Sequence, residues 1–119
     1  MSVLLDTNIV IEYLKTSTLR PPIYKGEFII SVITEAELFR FSGMSESDIK
    51  IIRLIVETCE TLAVDSRIAR RAGELGRTRK TRLPDLLIAA TALEYGIPLI
   101  THNLRDFKNI PDLIVRSSI

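Results

Sequence analysis

Short apolar runs alternate with helix-length amphipathic segments along this chain, and that alternation admits few folds. Val3-Leu4-Leu5 stops at Asp6-Thr7-Asn8, where Thr7 or Asn8 can cap a helix carrying Ile9, Val10, Tyr13 and Leu14 at helical spacing. The stretch from Thr16 to Lys25, with Pro21-Pro22, breaks that helix, and Phe28-Ile29-Ile30-Ser31 reads as a second strand. A helix from Ile33 or Thr34 to Phe41 is ended by Gly43. Ser45 to Asp48 then starts another, whose Ile49, Ile52, Leu54, Ile55 and Val56 form a wide apolar stripe. Thr61 to Val64 reads as a short strand, and Asp65 or Ser66 caps the next helix. Pro84 opens a further helix that runs to Tyr95 and stops at Gly96. Ile97 to Ile100 reads as a buried strand, Thr101 to Phe107 as a loop, and Leu113 to Val115 as a last strand. Strands that alternate with helices predict an α/β fold, a parallel sheet with helices on both faces.

The 119 residues, 46% hydrophobic and 26% charged, suit a single domain with a genuine core. Cys59 is the only cysteine, which rules out an internal disulfide and cysteine-based zinc clusters and fits a reducing cytoplasm. The first residues have neither the basic start nor the apolar run of a signal peptide. No stretch reaches roughly 18 uninterrupted apolar residues, so neither export nor membrane insertion is expected. Net charge is only +1, but it is unevenly spread: Arg67 to Arg82 holds seven bases against the single acid Glu74. A local basic stripe on a near-neutral protein can grip phosphates, although a solvated helix face is the simpler reading of such a run.

In open parallel sheets ligands sit beyond the carboxyl ends of the strands, so acids at those ends matter most. Asp6 directly follows the first strand, and Asp106 follows the fourth by a short loop. Asp85 comes one residue after Pro84, in a first helical turn whose dipole favours the ionised form. Glu35 and Glu37 follow the second strand and point about 200° apart on a helix, so at most one of them faces the same edge. Each acid also has a structural reading. Asp6 could cap a helix, Asp85 could complement a dipole, Asp106 could be a surface loop residue, and Thr34 with Glu37 fits a capping box. The coincidence of four acids at strand ends and helix starts is what points to an acidic cluster and a divalent metal.

Leu5-Asp6-Thr7-Asn8, Ser31-Val32-Ile33-Thr34 leading to Glu37-Leu38, Leu83-Pro84-Asp85 leading to Ile88-Ala89-Ala90, and Thr101-x-Asn103-x-x-Asp106-Phe107 resemble, in order, the signatures of PIN domains, specifically those of VapC-type toxins. The resemblance implies one domain over residues 1–119, built as a three-layer α/β/α sandwich around a parallel sheet of about five strands. It also implies a cytoplasmic endoribonuclease dependent on Mg²⁺ or Mn²⁺, with one or two ions per site. Asp6, Glu37, Asp85 and Asp106 match the family's acidic, metal-holding positions, and Thr7, Asn8 and Asn103 its polar supporting ones. His102 falls at a variable position and reads as a solvent-facing loop residue.

Four clustered carboxylates repel one another, and divalent cations would relieve this while lowering the pKa of a bound water that attacks an RNA phosphate. Arg77, Arg79, Lys80 and Arg82, just ahead of Asp85, are the expected RNA contacts. The resemblance further implies a cognate antitoxin protein and a homodimer. The broad apolar faces bearing Ile9, Tyr13 and Leu14, and Ile49, Ile52 and Ile55, are the candidate interfaces. Two other readings compete. One is a non-catalytic RNA-binding or scaffold PIN domain, against which the four intact acids speak. The other is a phosphoacceptor receiver domain, which would need an acidic pair, a phosphorylatable aspartate and a lysine that the regions around Asp65 and Thr101 do not supply.

Overall fold

The structure, a computed structural model, describes residues 2–16, 28–41 and 43–117. Most of the predicted break at Thr16 to Lys25 lies outside these residues, as does the side chain of Tyr13.

Strand β1 (Val3–Leu5) leads into helix α1 (Thr7–Thr16); β2 (Phe28–Ser31) leads into α2 (Val32–Arg40), followed by α3 (Glu46–Thr58) and β3 (Glu60–Leu62). Helices α4 (Ser66–Gly76) and α5 (Leu83–Tyr95) follow, then β4 (Leu99–Ile100), α6 (Leu104–Phe107) and β5 (Val115–Arg116). The five strands form one sheet in the order β3-β2-β1-β4-β5, with every pairing parallel. The chain reverses its direction of winding between β1 and β4, so the crevice at their carboxyl ends is the place where this topology leaves room for a ligand.

Strand alternation divides the core. Val3, Leu5, Phe28, Ile30 and Ile100 point to one face, against Ile9 and Val10 of α1, Leu38 of α2, and Ile52 and Ile55 of α3. Leu4, Ile29, Leu62 and Leu99 point to the other, against Ile88, Ala89 and Ala92 of α5 and Phe107 of α6. Helix α4 packs outside α5 through Ile68, Ala72, Leu86 and Ala90. Gly76 ends α4 where a Cβ would lie 3.1 Å from Leu86 Cδ1. Gly96, in the left-handed region at φ 63°, ends α5 and turns the chain into β4.

Several boundaries differ from those expected. The residue that caps α1 is Asp6, neither Thr7 nor Asn8: its Oδ1 accepts from the Thr7 amide at 2.8 Å and its carbonyl from the amides of Ile9 and Val10. Helix α2 starts at Val32 and is capped by Ser31, so the Thr34–Glu37 capping box does not form and Glu37 is released for other contacts. The capping box of α3, Ser45 with Asp48, is present in full. The segment read as a loop from Thr101 to Phe107 contains α6, one turn too short to show a period. The last strand lies at Val115–Arg116, one to two residues later than Leu113 to Val115.

The apolar faces expected to be surplus are largely core. Ile9, Ile52 and Ile55 are buried, whereas the large apolar side chains left exposed on α2, its C-cap and α3 are Phe39, Phe41, Ile51 and Leu54. A groove of about 220 Å³ lined by Ile11, Leu14, Leu38, Phe41, Met44 and Ile52 runs between α1 and the α2–α3 corner.

Candidate active site

The Leu5–Ile100 register of β1 and β4 puts the next residues, Asp6 and Thr101, side by side at the carboxyl edge. Both are buried. The Asp6 carboxylate accepts at both oxygens, from the Thr7 amide on Oδ1 and from the Thr101 hydroxyl at 2.7 Å on Oδ2. Burial pushes the Asp6 pKa up, and these two hydrogen bonds oppose that by favouring the ionised form.

Glu37 reaches the same place from the second turn of α2, where its Oε1 accepts from the Thr7 hydroxyl at 2.6 Å; Thr7 Oγ1 also lies 3.2 Å from the buried Thr34 Oγ1. Asp85 sits in the first turn of α5, behind Pro84 and the N-cap Arg82. Its carboxyl is raised to about 6, first by burial and then by the negative charges of Asp6 and Glu37, while Arg82 pulls it down. Asp106 lies on α6, and its Oδ2 accepts from Asn103 Nδ2 at 2.6 Å. The Thr101 hydroxyl that donates to Asp6 accepts from the Asn103 amide at 3.0 Å, tying the α6 turn to β1.

Asp6, Glu37, Asp85 and Asp106 therefore line one open cavity of about 500 Å³, together with Thr7, Asn8 and Asn103. Glu35 does not line it. His102 stays outside it, exposed and paired with Glu12 on α1. Of the four basic residues expected to contact RNA, Arg82 stands on the cavity wall, and Arg77, Arg79 and Lys80 do not. Arg79 gives its guanidinium to two backbone carbonyls, Nη1 to Leu75 O at 3.1 Å and Nη2 to Asn109 O at 3.2 Å. Farther back along the stripe, Arg67 and Arg71 pair with Glu94.

Four polar residues at or beside this cavity escaped the sequence reading of the site: Thr101, Thr34, Arg40 and Arg105. Thr101 could be found only by knowing that β1 and β4 are neighbours. Arg40 lines the cavity one turn beyond Glu37, an i, i+3 relation visible once Glu37 is known to face inward.

An all-oxygen donor set suits a hard cation such as Mg²⁺ or Mn²⁺. Among the described residues no three Asp, Glu, His or Cys side chains stand together as a group that could hold a metal ion, although the four acids share one cavity wall. That is consistent with Mg²⁺, which is usually held by one or two carboxylates while waters complete its shell. The pKa of Asp85 is raised first by burial and then by the negative charges of Asp6 and Glu37, and a cation would offset the second of these.

Comparison with known proteins decides the family: the PIN domain model matches residues 3–113. The chain belongs to the PIN-domain family. Over 95% of both chains this PIN domain is 34% identical to "Ribonuclease VapC1" of Haemophilus influenzae. It is 32% identical to "Ribonuclease VapC19" of Mycobacterium tuberculosis, over 92% of this chain and 95% of that one. Among solved structures it resembles the DNA-bound VapBC of Salmonella typhimurium, with TM-score 0.81 and 27% identity over 98% and 97% of the two chains. It also resembles VapBC-1 of nontypeable Haemophilus influenzae, with TM-score 0.77 and 32% identity over the same shares. The five-stranded parallel sheet flanked by helices is thus the PIN fold expected from the motifs.

Proposed function

We propose that this chain, as one PIN domain, is the endoribonuclease toxin of a toxin–antitoxin pair and acts in the cytoplasm on RNA phosphodiester bonds. The observation that carries this reading is the meeting of Asp6, Glu37, Asp85 and Asp106 in one cavity at the β1–β4 crevice. Relatives over nearly the full length are ribonucleases by name, and the structural neighbours are toxin–antitoxin complexes. Among the described residues no helix is long and apolar enough to cross a membrane.

In the reaction a water oxygen bonds to phosphorus and the bond from phosphorus to the 3′ oxygen breaks, leaving a 5′-phosphate and a 3′-hydroxyl. Asp6, Glu37, Asp85 and Asp106 would hold Mg²⁺ or Mn²⁺, which supplies positive charge and acidifies water. The rest is done by the chain itself. Thr7 and Thr101 fix Asp6 through its two oxygens, Thr7 fixes Glu37, and Asn103 fixes Asp106, so three of the four acids are oriented before any ligand enters. Arg82 on the cavity wall, with Lys80 beside it, offers positive charge to the incoming backbone, and Arg79 keeps the segment that carries them in place.

The apolar groove beside α1, which exposed Phe41 lines, and the exposed Phe39 of α2 and Ile51 and Leu54 of α3 are the surfaces we assign to contact with the antitoxin and a second copy. Activity is tested by incubating purified protein with RNA in Mg²⁺ or Mn²⁺ and again with excess chelator. Cleavage that needs the cation supports the function, and full cleavage in chelator contradicts it.

A further inference from the structure

A second cavity, of about 280 Å³, opens beside the acidic one and shares Arg82 and Asp106 with it as a common wall. Its remaining charged lining is Arg79, Lys80 and Arg105. Three positive side chains of this cavity, Lys80, Arg82 and Arg105, are exposed. No hydrogen bond or ion pair with another described residue engages any of them. The contrast with Arg67 and Arg71, which are matched by Glu94 on α5, is sharp. Arg79 differs again. By bonding the carbonyls of Leu75 and Asn109 it ties the end of α4 to the chain after α6, and so fixes the distance between Lys80 and Arg82 on one side and Arg105 on the other.

We propose that this second cavity is a phosphate subsite in which Lys80, Arg82 and Arg105 bind a phosphodiester adjacent to the one being cut, with Arg79 as the residue that positions them. The inference rests on the ribonuclease reading and deepens it. A strand lying across the acidic cavity meets the shared Arg82–Asp106 wall and continues into a pocket lined by four cations, three of them exposed, and one carboxylate. An anionic group is favoured there, and the repeating charge of an RNA backbone supplies one at the neighbouring linkage. Arginine, with its planar fork of donors, is suited to grip two oxygens of one phosphate, and Arg105, which lines this cavity and not the acidic one, is the arginine whose loss reports on the subsite alone.

The test separates binding from cleavage. In the Asp85→Asn background with Mg²⁺, a fluorescein-labelled RNA decamer is titrated against Arg105→Gln and, as an equal charge change on α3, against Arg53→Gln. Arg105→Gln should weaken binding about tenfold and reduce the slope of log K against log salt by about 0.7, the value for one lost phosphate contact on a single strand. Arg53→Gln should change neither. With the Asp85 carboxylate intact, Arg105→Gln should raise KM much more than it lowers kcat. An RNA whose linkage on one side of the cut is a neutral methylphosphonate should show the same loss, and the two changes should not add. Unchanged affinity and slope in Arg105→Gln, or fully additive losses with both flanking linkages, overturn the subsite even if cleavage is normal. Absence of cleavage by the unaltered protein, with binding still dependent on Arg105, would instead count against the ribonuclease reading alone.

Discussion

The Thr101 hydroxyl donates to Asp6 Oδ2 at 2.7 Å across 95 residues of chain, joining the ends of two adjacent parallel strands at the point where the sheet reverses its winding. Thr101→Val removes this donor at nearly constant shape and leaves a buried carboxylate oxygen short of a partner. The variant should lose about 1–3 kcal/mol of stability. It should also lose RNA cleavage at least about tenfold, because Asp6 is freed to rotate and its ionised form is less favoured. Thr101→Ser should restore both. Thermal unfolding and single-turnover cleavage check this, and wild-type behaviour in Thr101→Val would show the bond to be incidental.

Asp85 gives a pH dependence of known sign. Its carboxyl titrates near 6 when folded, against an ordinary value of 3.8, because of burial and the charges of Asp6 and Glu37. The folded state holds the proton more tightly, so its stability falls as pH rises from about 4 through 6. In chelator, Asp85→Asn should therefore melt higher than the unaltered protein at pH 7.5, and the gap should close toward pH 4.5. Divalent cation should raise the melting temperature of the unaltered protein more than that of the variant. Equal melting temperatures at both pH values would mean that neither burial nor the neighbouring charges perturb Asp85.

Arg79 bonds two carbonyls that lie on different elements, Leu75 O and Asn109 O. Arg79→Gln should cost about 1 kcal/mol of stability, and Arg79→Lys should not rescue it, since a single ammonium does not reproduce the fork. Denaturant unfolding of both variants provides the check, and full rescue by lysine would reduce the role of Arg79 to its charge.

The legible parts of this molecule were those written in local pattern. Val3-Leu4-Leu5 and Phe28 to Ser31 are nearly uniform apolar runs because both faces of a central parallel strand are covered, and Pro84 and Gly96 bracket α5 by backbone geometry that few other residues supply. The acids stand out in the sequence because they read as lying at strand ends or near helix starts; Asp6, Asp85 and Asp106 do lie there, whereas Glu37 is in the second turn of α2. What stayed hidden depends on which strands are neighbours. Thr101 is an ordinary threonine until β4 is placed beside β1, and Glu37 fits a capping box with Thr34 until Ser31 is seen to cap α2 instead. Helix α6 has four residues, fewer than a hydrophobic period needs, and the exposure of Ile51 and Leu54 depends on how α3 is rotated against the sheet. Charge counting along Arg67 to Arg82 likewise could not separate the arginines paired with Glu94 from those that line a cavity, nor bring Arg105 to join them.

The central claim is that the carboxylates gathered at the β1–β4 crevice carry out RNA cleavage. The most direct measurement is single-turnover cleavage of one RNA in Mn²⁺ by the unaltered protein, Asp6→Asn, Glu37→Gln and Glu35→Gln, each first shown to be folded by circular dichroism. Asp6 and Glu37 line the cavity and Glu35, two residues away on the same helix as Glu37, does not. Asp6→Asn and Glu37→Gln should fall by at least about a hundredfold while Glu35→Gln keeps its rate, a difference in activation free energy of about 2.7 kcal/mol or more. Equal rates in Glu37→Gln and Glu35→Gln, or undiminished turnover in Asp6→Asn, would contradict the assignment of this cavity as the active site.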